Sequence, residues 1–172
     1  MRFLFTTSRK PVARLIRRIC GESSHFVIHF DEHFTVLHSH LPGVELDYYD
    51  RWVKRAKLVR VLSYTGPLSK DQMDRIYCAA LDDYLGRPYD YGGLVFGLFA
   101  LSWNWLEKTA KRNLWASRNA LMCVELAEAI RDSGMLPDID WPDALDEITP
   151  DELCELLLES QYVVEITGVM GD

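Results

Sequence analysis

Apolar and polar residues first alternate in short runs and later recur at helical spacing. "RFLFT" (2–6) reads as a short strand. In "KPVARLIRRIC" (10–20), Val12, Leu15, Ile16 and Ile19 share one helical face, and the opposite face is basic. Pro11 suits the first turn of that helix and Gly21 its stop. "HFVIHF" (25–30) predicts a strand with Phe26, Ile28 and Phe30 on one face and His25, Val27 and His29 on the other. "DEH" is a turn, "FTVLHSH" the next strand and "LPG" another turn. "VELDYYDRW" is mixed, and "KLVRVLSY" (57–64) is a clear strand. The short connections predict an antiparallel meander.

Helical spacing dominates from residue 67 onward. Ser69 and Gln72 form a capping-box pair ahead of a helix that Gly86 ends, and "RPYDYGG" follows as a loop. "RNALMCVELAEAIRDSG" predicts a second helix, with Met122, Leu126, Ala129 and Ile130 on one face and Gly134 as its stop. "ITPDELCELLLES" predicts a third, capped by Thr149, opened by Pro150 and boxed by Glu152. "YVVEITG" adds an edge strand. No repeat or linker interrupts the chain, so residues 1–172 are expected to form one α+β domain, an antiparallel meander sheet packed against helices.

Composition narrows the functional classes. The net charge of −7 argues against nucleic acid as a partner. The longest apolar stretch, "GGLVFGLFALSWNWL" (92–106), falls short of the roughly 20 residues of a spanning helix, so no transmembrane segment is expected. "MRFLF" gives way to "TTSRK" without the apolar core of a signal peptide, so cytoplasmic synthesis with free thiols is expected. Cys20, Cys78, Cys123 and Cys154 lie far apart with no C-x-x-C pair, which argues against a zinc or iron–sulfur framework.

All five histidines fall between positions 25 and 40. His38-x-His40 puts two imidazoles on one strand face, as metal sites often do. No H-E-x-x-H helix accompanies them. The expectation is therefore no metal and no cofactor, with His29, His33 and His40 as strand or turn residues rather than ligands. A nucleophile reading starts from Cys123, near the start of a predicted helix with Asn119 as N-cap. There the helix dipole is expected to lower the thiol pKa. An imidazole would serve as base, oriented by a third group. Cys20, Cys78 and Cys154 read as small buried apolar residues of helices.

Several motifs also resemble a known family, in order. "ARLIRRICGESSHFVIHF", "TVLHSHLPGVEL", "LGRPYDYGG", "LMCVELAEAI" and "ITPDEL" are similar to segments of the YiiX-like enzymes. These are circularly permuted papain-fold proteins of the NlpC-type superfamily, related to the lecithin:retinol acyltransferase-like group. The resemblance implies a permuted papain-like fold with Cys123 as nucleophile, His25 as general base and His38 as the residue orienting it. Tyr89 and Asp90 would line or brace the site. Val124 departs from the family's usual serine after the cysteine. The implied activity is cleavage of an amide through a Cys thioester, with peptidoglycan stem peptides as first substrate class. Such a domain would reach a cell wall by lysis or on a phage tail tip, among other virion tail proteins. Three alternatives stand beside it: a lipid acyltransferase or thioesterase using the same residues, a non-catalytic subunit of a virion tail, and a histidine metal site.

Overall fold

The computed structural model describes residues 1–8, 13–14, 17–18, 21–40, 42–90, 123–143, 145 and 148–166. The alternating segments become strands β1 (Arg2–Thr7), β2 (His25–Phe30), β3 (Thr35–Ser39), β4 (Val44–Tyr48) and β5 (Lys57–Tyr64), and β6 (Val163–Glu165) follows near the end. They pair in one six-stranded sheet of order β4-β3-β2-β1-β5-β6, antiparallel throughout. The 3-10 turn Asp31–His33 joins β2 to β3 and closes on Phe34 in the left-handed region, with φ 54°.

The meander holds for β2, β3 and β4 but not for β5, which crosses back to pair with β1. A short helix, α1 (Tyr49–Val53), explains the crossing. Tyr49, Trp52 and Val53 have helical spacing, so this segment buries an apolar face instead of turning a hairpin. Trp52 packs with Leu4, Val27, Val36 and Val61 on one side of the sheet and carries the chain over it.

The other side of the sheet carries the main core. Phe3, Phe5, Phe26, Ile28, Phe30, Leu37 and Leu62 are buried there. Against them pack α2 (Lys70–Tyr84), α3 (Glu128–Asp132), α4 (Pro150–Leu158) and the 3-10 turn Cys123–Ala127, through side chains such as Tyr84, Leu126, Ile130, Leu153 and Leu157. Each fully buried phenylalanine stabilises the fold by roughly 1.5–3 kcal/mol. Both expected capping boxes form. Gln72 N donates to Ser69 Oγ (3.3 Å) and Ser69 N to Gln72 Oε1 (2.9 Å). Glu152 N donates to Thr149 Oγ1 (3.2 Å) and Thr149 N to Glu152 Oε2 (2.7 Å).

Two expectations are corrected. Cys123–Ala127 is a 3-10 turn and not α-helix, and regular α-helix follows at Glu128. Cys78 is exposed, whereas Cys154 is buried as expected. The expected N-cap Asn119, Met122, Cys20, most of the helix at 10–20 and the apolar stretch 92–106 lie outside the described residues. Among the described residues no helix is long and apolar enough to cross a membrane.

One carboxylate ties α4 to the lead-in of β2. Asp151 accepts from Glu22 N (2.6 Å) and Ser23 N (3.0 Å). Gly21 turns there with φ 119°, and a Cβ on it would lie 2.0 Å from Asp151 Oδ2. A residue with a side chain is therefore excluded by both conformation and space. Ser24 N donates to Thr6 O (2.9 Å), so the chain enters β2 already fixed to β1. Asp151→Ala should lower unfolding free energy by about 1–2 kcal/mol, by loss of two charge-assisted hydrogen bonds. Urea denaturation of the purified chain measures this, and an unchanged midpoint would show that the lead-in is held by other contacts.

Candidate active site

The site is built where two strands part. The β1–β2 ladder runs to Thr6–His25 and the β3–β4 ladder to Ser39–Val44, but the β2–β3 ladder ends at Val27–His38. His25 and Phe26 thus lie past the last β2–β3 pair. Alternation puts His25 on the Val27 side of the sheet, and Val27 faces His38 across the ladder. The His25 and His38 rings meet edge to face, with centroids 6.0 Å apart and planes at 87°. The His40 ring lies 4.6 Å from that of His38, and the Trp52 ring 6.2 Å from it.

Cys123 approaches from the core side. The 3-10 turn that holds it packs against β2, and the backbone N–H groups of Phe26, Cys123 and Val124 favour the thiolate. The structure therefore sets the cysteine against the residue that follows His25 and brings His25 beside His38. The expected orienting hydrogen bond is not made: among the described residues neither ring nitrogen of the buried His38 has a hydrogen-bond partner. Tyr89 and Asp90 lie on a loop at the same end of the sheet. Tyr89 N donates to Pro42 O (3.1 Å), Val44 N donates to Arg87 O (2.8 Å), and Pro88 bridges Gly43. Tyr89 is half-buried and Asp90 buried.

His29 and His33 stand apart. His29 lies four residues along β2, about 13 Å from His25 at the usual strand rise. It stacks on Tyr49 at 4.0 Å, with Nδ1 3.3 Å from Asp31 Oδ1 but without hydrogen-bond alignment. His33 stacks on Tyr77 at 3.9 Å and meets Asp74 at 3.1 Å. One residue near the site was not singled out from sequence: Glu45, opposite His38 in the β3–β4 ladder. Its signal was present in "VELDY", where Glu45 and Asp47 alternate onto one face.

Burial governs the electrostatics. It pushes the His25 imidazole down to about 3, and the neighbouring His38 and His40 press the same way. It takes His38 down to about 4, with His40 adding to the effect and Asp47 opposing it. It raises the Cys123 thiol to about 11, Glu125 adding to the rise while the three backbone N–H groups oppose it. The expectation of a lowered thiol pKa is thus corrected. The partial charge at the start of a short 3-10 turn does not offset removal of the sulfur from water. Near neutral pH the site holds a thiol and neutral imidazoles.

No family model matches the chain, and no curated protein matches it. Among solved structures the chain is similar to the metalloprotein yiiX from Escherichia coli O157:H7, with a TM-score of 0.55 and 14% sequence identity. The match covers 96% of this chain and 94% of that one. The fold is therefore YiiX-like, an α+β arrangement around the six-stranded antiparallel sheet. At this identity the likeness concerns the fold alone.

The shifts lead to two expected outcomes. His25 and His38 titrate at about 3 and about 4 when folded, below the ordinary 6.5 of the unfolded chain. The unfolded state then binds more protons below pH 6.5, so the contribution of both groups is full above that pH and is lost as pH falls toward their folded values. The urea midpoint should hold above about pH 7 and decline from about pH 6 downward, with a shallower decline in His38→Gln. A midpoint flat to about pH 5 would contradict the desolvation of these rings. For Cys123, the rate of iodoacetamide alkylation, followed by peptide mass, should rise about tenfold per pH unit between about pH 7 and 10. A plateau near neutral pH would instead reveal a preformed thiolate.

Proposed function

We propose that the chain is a cysteine hydrolase of the circularly permuted papain kind, with Cys123 as nucleophile and His25 as general base, cleaving an amide bond. One observation carries this reading: the 3-10 turn that holds the buried Cys123 packs against β2, the strand that begins at His25, where β2 and β3 part. The order of motifs, histidine before cysteine, supports the permuted form.

The chemistry follows from neutral partners. His25 has a nitrogen lone pair free to take a proton, because its imidazole is uncharged near neutral pH. As the sulfur attacks the substrate carbonyl, the thiol proton passes to His25 and a tetrahedral oxyanion forms. The backbone N–H groups of Cys123 and Val124 are the donors at hand for that oxygen. His25 then gives its proton to the departing amine as the C–N bond breaks, leaving a thioester. Water, deprotonated by His25, attacks the thioester, and the sulfur leaves and recovers its proton. His38 positions His25 by edge-to-face ring contact and not by a hydrogen bond. Peptidoglycan stem peptides are the first substrate class, reached by lysis or on a virion tail. Long-chain acyl esters are the second, through the same nucleophile.

A non-catalytic reading is favoured by one observation, the burial of Cys123, which pushes its thiol up. Incubating the intact chain with stem-peptide fragments and with acyl esters, then mapping adducts by mass, separates the readings. The expected result is an acyl group on Cys123 with release of amine or alcohol, absent in Cys123→Ala. Turnover in His25→Ala should fall by on the order of 10²-fold or more with the melting temperature retained. Cleavage persisting in Cys123→Ala would remove the nucleophile, and a folded chain inert to every substrate would favour the scaffold.

A further inference from the structure

We infer that His38, His40 and Glu45 form a binding site for a divalent transition-metal ion of the zinc type. The inference shares His38 with the hydrolase reading, but neither Cys123 nor His25 is among the ligands. One nitrogen or oxygen from each of the three side chains lies within 4.8 Å of the other two. His40 Nε2 and Glu45 Oε2 are already 3.2 Å apart. Tetrahedral zinc with bonds of about 2.0–2.1 Å holds its ligand atoms roughly 3.3 Å apart, so only His38 must draw closer.

The backbone explains why the three converge. His38 and His40 are two apart in sequence at the end of β3, and Glu45 faces His38 across the β3–β4 ladder. Two of the ligands are therefore on adjacent antiparallel strands, which hold side chains more firmly than loops do. An ordinary surface ion pair would account for His40 and Glu45, which are half-exposed. It does not account for His38, which is 4% exposed with both ring nitrogens lacking a hydrogen-bond partner among the described residues. Buried polar atoms of this kind are rare, and a metal would engage one of those nitrogens.

The donor set fixes the class of ion. Two imidazoles and one carboxylate suit zinc, cobalt or nickel, whereas magnesium and calcium prefer oxygen ligands alone. Three protein ligands leave a fourth position for water. Asp47 does not fill it, because its carboxylate is engaged by Arg51 (3.0 Å) and by Arg55. The half-exposed His40 and Glu45 provide the route for a hydrated ion, and the buried Trp52 ring lies 6.2 Å from that of His38.

The test uses the intact chain stripped with chelator. Titration with zinc chloride should show one ion per chain, raise the melting temperature, and give the visible spectrum of a tetrahedral site when cobalt(II) replaces zinc. His40→Ala and Glu45→Gln should each weaken zinc binding by on the order of 100-fold while keeping the melting temperature of the metal-free protein. The surface variant Cys78→Ser/His33→Asn should bind as the parent does. Loss of the ion in that surface variant, full binding in His40→Ala, or no binding by the parent chain would each overturn the inference. Because the readout is metal content, it is unaffected by whether Cys123 proves catalytic.

Discussion

β2 is packed on both faces, by the phenylalanine-rich core on one side and by Leu4, Val36 and Trp52 on the other. This double burial leaves its register no freedom. A slip of one residue would drive His25, Val27 and His29 into the main core and push three large apolar side chains against Trp52. Once Phe26, Ile28 and Phe30 occupy the core, the direction of His25 follows, as does the facing of Val27 and His38. The placement of the candidate site is thus a by-product of core packing.

The same enclosure decides the charge states. Water withdrawn from the rings and the sulfur outweighs the backbone N–H groups around Cys123 and leaves uncharged groups near neutral pH. His38 and His40 disfavour a proton on His25, and His40 disfavours one on His38. Uncharged rings suit lone-pair donation to a metal, whereas an imidazole held at about 3 opposes uptake of a proton from a thiol held at about 11. Metal binding and the positioning of His25 both draw on His38, and they are compatible in principle, because a ring that binds metal through one nitrogen keeps a proton on the other.

Local rules made much of this legible. The capping residues Ser69–Gln72 and Thr149–Glu152 fix their helix starts from four-residue signals, and the alternation of "HFVIHF" gives the strand and both its faces. The failures are non-local or energetic. The crossing of β5 to β1 depends on Trp52 finding the far face, which no hairpin rule encodes. The break into a 3-10 turn at Cys123 and the rise of its thiol depend on core depth, invisible to a helical pattern. Glu45 is hidden from a linear reading because its partner His38 lies across a ladder, although the alternation around it is plain. His40, read as the residue before a turn, joins that same cluster.

The clamp of Asp151 on the lead-in to β2 spans 129 residues of sequence to Glu22. β1 likewise waits for β5, and β5 for β6. Closure of such distant contacts is slow, and it follows the local hairpins in time. During synthesis the histidine-bearing meander emerges well before α4, the helix that carries its anchor. A nascent chain therefore carries its histidines before the helix that anchors Glu22 and Ser23 has been made.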